Sequence, residues 1–148
     1  MKSVSGSAPY VALVDDDPHS VRLMSRMLTA HGAPEVEWFG GAHEGRIKLE
    51  SRLADKSSAW PTMLIVDLKG HSDETRSFIA GLGNIVGSTG LLVVAMAAEV
   101  TRSLREGLIE AGASAVFTRQ ADREAYRQEA ANIVSFWARS QRLDAVGM

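Results

Sequence analysis

The chain has 148 residues, 45% hydrophobic and 23% charged, with 16 basic against 18 acidic side chains and a formal charge of −2. That length suits one domain with a full two- or three-layer core, and the apolar fraction excludes a disordered chain. The charge balance carries no nucleic-acid footprint, and zero cysteines exclude disulfides, thiolate zinc sites and thiol nucleophiles.

Residues 1–9 are small and polar and read as a flexible N-terminus before a domain over 10–140. Tyr10 to Val14 is a short apolar run that stops at acidic residues, as a strand buried on both faces reads. Asp17-Pro18 gives a helix N-cap and first-turn proline, Val21, Met24 and Leu28 recur at helical spacing, and Gly32 supplies a stop. Val36 to Phe39 alternates, as a strand nearer an edge does. A helix follows from about His43 to Asp55, with Ile47 and Leu53 on its inward side. Met63 to Val66 is a second buried run and ends at Asp67. The third helix, about Asp73 to Ile85, is weakly specified because Gly81, Gly83, Gly87 and Gly90 punctuate the region. Leu91 to Met96 is the next strand, Thr101 to Ala111 a helix closing at Gly112, and Ala115 to Thr118 a weaker strand. The last helix begins near Asp122 and runs through Ala130, Ile133, Val134 and Trp137, with 141–148 as a frayed tail.

The longest apolar run, Leu91 to Ala98, is far below the roughly 18 residues a membrane span needs. Tyr10 to Val14 is too short for a signal-peptide core. A soluble, cytoplasmic protein without membrane or nucleic-acid contacts is the expectation. The β-α unit repeated five times predicts an α/β fold, a doubly wound five-stranded parallel sheet with right-handed crossovers. In such sheets ligands bind beyond the carboxyl ends of the strands.

Those ends carry the chemistry. Asp15, Asp16 and Asp17 follow strand one and Asp67 ends strand three. On adjacent strands their charges would repel, and a divalent cation with oxygen ligands relieves that cost; Mg²⁺ suits a site of few carboxylates and several waters. A carboxylate left partly free beside it can attack a phosphoryl group and form an aspartyl phosphate. Asp17, directly before Pro18, reads as the helix cap. His19, His31, His43 and His71 share no metal-ligand spacing and read as surface residues, while Trp38, Trp60 and Trp137 read as packing. The Gly81 to Gly90 segment lacks the spacing and context of a phosphate loop.

Val11-Ala-Leu-Val-Asp-Asp-Asp-Pro18, Leu64-Ile-Val-Asp67 and Glu110-Ala-Gly-Ala-Ser-Ala-Val-Phe-Thr-Arg119 resemble the receiver domain of two-component response regulators, over about Tyr10 to Trp137. The resemblance implies a flavodoxin-like three-layer sandwich. It further implies that Asp15 and Asp16 hold Mg²⁺, that Asp67 accepts the phosphoryl group, and that the Lys69 backbone carbonyl completes the metal shell. Several positions depart from the family pattern. Its Thr or Ser at the end of strand four falls on Ala97, its strand-five Lys on Arg119, the Pro after it on Gln120, and its switch aromatic on Val116. The Pro and Asp-Gly expected after the acceptor are missing from Lys69 to Glu74. Ala97 and Val116 are thus degenerate switch positions, and Arg119 keeps the charge that contacts the phosphoryl group with a different shape. Lys69 and Glu99 lie at the rim, where they are expected to pair across the mouth and limit access of hydrolytic water.

The resemblance implies a stand-alone, atypical receiver in a phosphorelay, a signalling phosphoprotein rather than an enzyme, with at most self-dephosphorylation. It would take phosphate from a sensor histidine kinase or a histidine phosphotransfer protein and signal by docking through the face of helix four, strand five and helix five. Dimerisation stays open. One alternative is a phosphorylation-independent pseudo-receiver that binds partners through the same fold. Another is a phosphohydrolase of the haloacid dehalogenase type, for which Asp15 and Asp17 supply an Asp-x-Asp but the remaining motif residues do not appear.

Overall fold

The structure, a computed structural model, describes residues 8–71 and 73–146. The first apolar run forms β1 (Tyr10–Asp15), buried throughout. Asp17 caps α1 (Pro18–Ala30) by accepting the His19 N–H at 3.0 Å. The alternating segment becomes β2 (Glu35–Gly40), a half-exposed edge, and α2 (Ala42–Ala54) follows. The second buried run is β3 (Met63–Asp67). Beyond α3 (Glu74–Ala80) and α4 (Gly83–Thr89) come β4 (Leu92–Ala97), α5 (Arg102–Ala111), β5 (Ala115–Thr118) and α6 (Arg123–Val146).

All strand pairs are parallel, in the order β2-β1-β3-β4-β5. The side-chain period of two along β1 divides the core. Val11 and Leu13 face α1 and α6, packing with Met24, Leu28 and Ile133. Ala12 and Val14 face α2 to α5, with Leu49, Phe78 and Leu108. A sheet covered on both faces explains why β1 and β3 read as unbroken apolar runs. α2 lies so close to β1 that a Cβ on buried Gly45 would meet Val14 Cγ2 at 2.8 Å.

Three expectations are corrected. The third helix is two seven-residue helices, α3 and α4, broken at Gly81 and Leu82, because the glycines lower helix propensity where no long apolar stripe opposes them. Ile47 points outward, 55% exposed; Gly45 and Leu49 make the inward face of α2 instead, and Leu53 packs at its margin. α6 continues as helix past Gln141 to Val146, where fraying is expected from the sequence. The rest of that tail, 147–148, and the first seven residues of the flexible N-terminus lie outside the described residues.

Candidate phosphoacceptor site

The β1–β3 register sets Asp15 opposite Asp67 at the carboxyl end of the sheet. Both are withdrawn from solvent, at 0% and 1% exposure. Two cations counter them. Lys69 Nζ donates to Asp15 Oδ1 at 2.6 Å and to the Asp67 backbone carbonyl at 3.1 Å. It also lies 3.2 Å from Asp67 Oδ2, an ion-pair distance without hydrogen-bond geometry. Arg119, just past β5, donates from Nε to Asp67 Oδ1 at 2.9 Å. Asp15 Oδ1 also accepts the Asp17 N–H at 2.9 Å. Burial pushes the Asp15 carboxyl above its usual range, and the hydrogen bonds from Lys69 and Asp17 pull it back only in part.

The loop after β3 is pinned at three successive N–H groups. Leu68 donates to Thr75 Oγ1 at 3.2 Å, Lys69 to the exposed Asp16 carboxylate at 3.1 Å, and Gly70 to Glu74 Oε1 at 3.1 Å. Asp16 is therefore beside the site, but its carboxylate is turned to the loop rather than to the buried pair. On the opposite side, the Trp38 indole N–H donates to the Asp15 backbone carbonyl at 2.9 Å.

A cleft of about 390 Å³ opens next to this cluster, lined among others by Lys69, His71, Ala97, Glu99, Leu104 and Arg119. Ala97 ends β4 and accepts the Arg119 backbone N–H at 2.7 Å; its methyl offers no hydroxyl to the cleft. Val116 is buried in β5 opposite Ala95. The expected Lys69–Glu99 pair is not made. The ammonium turns inward, because two desolvated carboxylates attract it more strongly than one exposed glutamate. Asp17 is used by the α1 cap, which leaves the Asp-x-Asp reading without its second acid. The inward turn of Lys69 was not legible in the sequence, since a flexible four-carbon stem two residues past an acid carries no periodic signal.

The implied divalent cation can be tested against the donor atoms. Asp15 Oδ2 and Asp67 Oδ2 are buried without any hydrogen-bond partner. Two unbonded carboxylate oxygens on paired strand positions are the hard oxygen ligands that a cation such as Mg²⁺ takes, although the Lys69 ammonium already stands 3.2 Å from one of them. Among the described residues no third acidic, His or Cys side chain joins them in a ligand cluster.

No protein-family model and no curated protein matches the sequence. Solved structures do. The chain is similar to the phosphorylated cyanobacterial phytochrome response regulator RcpA, at 19% identity and a TM-score of 0.72, covering 89% of this chain and 95% of that one. It is similar to the Mn²⁺-bound form of response regulator Rcp1, at 17% identity and TM-score 0.71, with 87% and 94% covered. A CheY-like receiver domain protein from Methanospirillum hungatei JF-1 aligns at 17% identity and TM-score 0.64, over 90% and 99%. Among the described residues no helix is long and apolar enough to cross a membrane. Five parallel strands in this order, covered on both faces by helices and matched over nearly the whole chain, give this protein the CheY-like fold of response regulator receiver domains.

Proposed function

We propose that the protein is a receiver-type signalling module that accepts a phosphoryl group on Asp67. The observation that carries this is the buried Asp15–Asp67 pair at the carboxyl end of the sheet, each acid with one unbonded oxygen, and Arg119 aimed at the acceptor. An Asp67 carboxylate oxygen attacks the phosphorus of a phosphohistidine on a kinase or phosphotransfer protein. The P–O bond forms as the P–N bond breaks, the electron pair stays on the ring nitrogen, and a phosphohistidine already protonated on its other ring nitrogen leaves as neutral imidazole. Arg119 holds the oxygen it already bonds and neutralises charge on the phosphoryl group. Asp15 and Asp67, with the Lys69 carbonyl, would hold Mg²⁺, and Asp16 would join them once its carboxylate left the Lys69 N–H; a bound ion would neutralise phosphoryl oxygens. Output passes by docking through the face of α5, β5 and α6 in the cytoplasm, a reading supported by Ile109, 45% exposed on α5.

Acetyl phosphate or beryllofluoride with Mg²⁺ tests this by intact mass. One adduct per chain is expected, and none on Asp67→Asn. No adduct on the wild type, with a competent donor present, overturns the reading.

A second reading, the phosphorylation-independent pseudo-receiver, is favoured by the same cations. Lys69 and Arg119 already balance both acids, and Ala97 cannot report a bound phosphoryl group through a hydroxyl. In that case a partner binds wild type and Asp67→Asn equally.

A further inference from the structure

The acid pair carries a cation of its own. Lys69 Nζ faces three oxygens of Asp15 and Asp67 at 2.6, 3.1 and 3.2 Å. Two of the ammonium's three donors are thus spent on the acids, and the third oxygen lies at ion-pair distance. Its backbone is held over the pair by the N–H bond to Asp16, with Leu68 and Gly70 fixed on either side. This is not an exposed ion pair of small consequence: the lysine side chain is 23% exposed and each acid side chain 1%.

A divalent cation would need the same carboxylates, since among the described residues the buried carboxylate oxygens without a hydrogen-bond partner belong to the two acids that Lys69 bridges. Two cations sharing one small acidic pocket repel strongly at low dielectric. We propose that the Lys69 ammonium is a tethered counter-cation that competes with a divalent metal for the Asp15–Asp67 pair, so that metal binds only as Lys69 is displaced. Lys69 thereby sets how readily this site takes up metal. The adjoining cleft, which Lys69 and exposed Glu99 both line, gives the displaced side chain room and an acidic neighbour. The inference rests on the divalent-cation part of the receiver reading and adds a control on metal occupancy that is built into the loop after β3.

The test uses Mn²⁺ alone, titrated by electron paramagnetic resonance with Mg²⁺ in competition. Lys69→Met keeps the stem and removes the charge; it is expected to bind Mn²⁺ about tenfold or more tighter than wild type. Asp15→Asn should lose that binding in either background. A merely structural lysine predicts equal or weaker affinity in Lys69→Met, and that result overturns the proposal. Should Lys69→Met not fold, acetylation of the wild type decides. Lys69 should be protected without metal and labelled several-fold faster at saturating Mg²⁺, with exposed Lys56 as the internal standard. Labelling of Lys69 that ignores Mg²⁺ also overturns it. The beryllofluoride adduct separates the two readings. If Asp67 loads while Lys69→Met binds metal no more tightly, only this inference fails; if Lys69 is displaced by metal but Asp67 never loads, the receiver reading fails alone.

Discussion

Arg119 Nε lies 2.9 Å from Asp67 Oδ1, with the carboxylate side chain 1% exposed and the arginine side chain 23% exposed. Arg119 is also tied through its backbone N–H to the Ala97 carbonyl, so the guanidinium is aimed by the β4–β5 ladder rather than by a free loop. Removing it strands a buried carboxylate on Lys69 alone. Breaking a fully buried pair from one side costs about 3–5 kcal/mol. Here Lys69 remains and the arginine is partly solvated, so Arg119→Ala should cost about 2 kcal/mol in urea denaturation. In an Asp67→Asn background the same change should cost at least about 1 kcal/mol less, because no charge is left unpaired. Equal costs in both backgrounds would show that the pair is not coupled.

Asp17 is a helix cap and nothing more. Its carboxylate accepts the His19 N–H, and only its backbone N–H touches the site, at Asp15 Oδ1. Asp17→Ala should lose about 1 kcal/mol of stability and Asp17→Asn much less. Mn²⁺ affinity should stay at the wild-type value in both. A large loss of metal binding with stability intact would move Asp17 into the site.

The strands, their order of appearance and both buried acids were legible because the sheet is covered on two faces. Tyr10 to Val14 and Met63 to Val66 had no polar residue to interrupt them until Asp15 and Asp67, and the end of an apolar run marks the edge of the core. Asp17 was legible from Pro18. The break at Gly81 was only half legible, since glycines weaken a helix without saying where it stops. Ile47 was misplaced because α2 buries a small residue, Gly45, that an apolar stripe does not mark. The partner of Lys69 and the hydrogen bond from Trp38 to Asp15 depend on which strands adjoin, which no local pattern carries.

Gly45 sits where α2 crosses β1, one residue before the acids. A Cβ there would stand 2.8 Å from Val14 Cγ2 and 3.2 Å from Val14 Cγ1, both on a stiff β-branched side chain. Gly45→Ala should therefore destabilise by about 1–3 kcal/mol, outweighing the gain in helix propensity. The double change Gly45→Ala with Val14→Ala should recover part of that cost relative to the sum of the singles. If Gly45→Ala instead raises the melting temperature, α2 yields more easily than this packing implies.

Tyr126 of α6 is buried, and its hydroxyl finds no partner in full hydrogen-bond geometry, although the Ser20 side chain is close enough to pull its pKa down slightly. Burial first, then the negative charges of Asp67 and Asp15, hold the phenol at about 12, against 10.0 when unperturbed. The sign follows from linkage: the unfolded chain releases this proton near pH 10 while the folded chain keeps it. The stability tied to the protonated phenol is thus intact below pH 10 and is lost as pH rises from 10 through about 12. Tyr126→Phe should show a shallower alkaline decline over that window, and tyrosinate absorbance in the wild type should develop late. At neutral pH the variant should match the wild type or exceed it by up to about 1 kcal/mol, since an unsatisfied buried hydroxyl is removed and the ring is kept. A neutral-pH loss of more than about 1 kcal/mol would mean that the hydroxyl is hydrogen-bonded in solution, with Ser20 as the neighbour in reach.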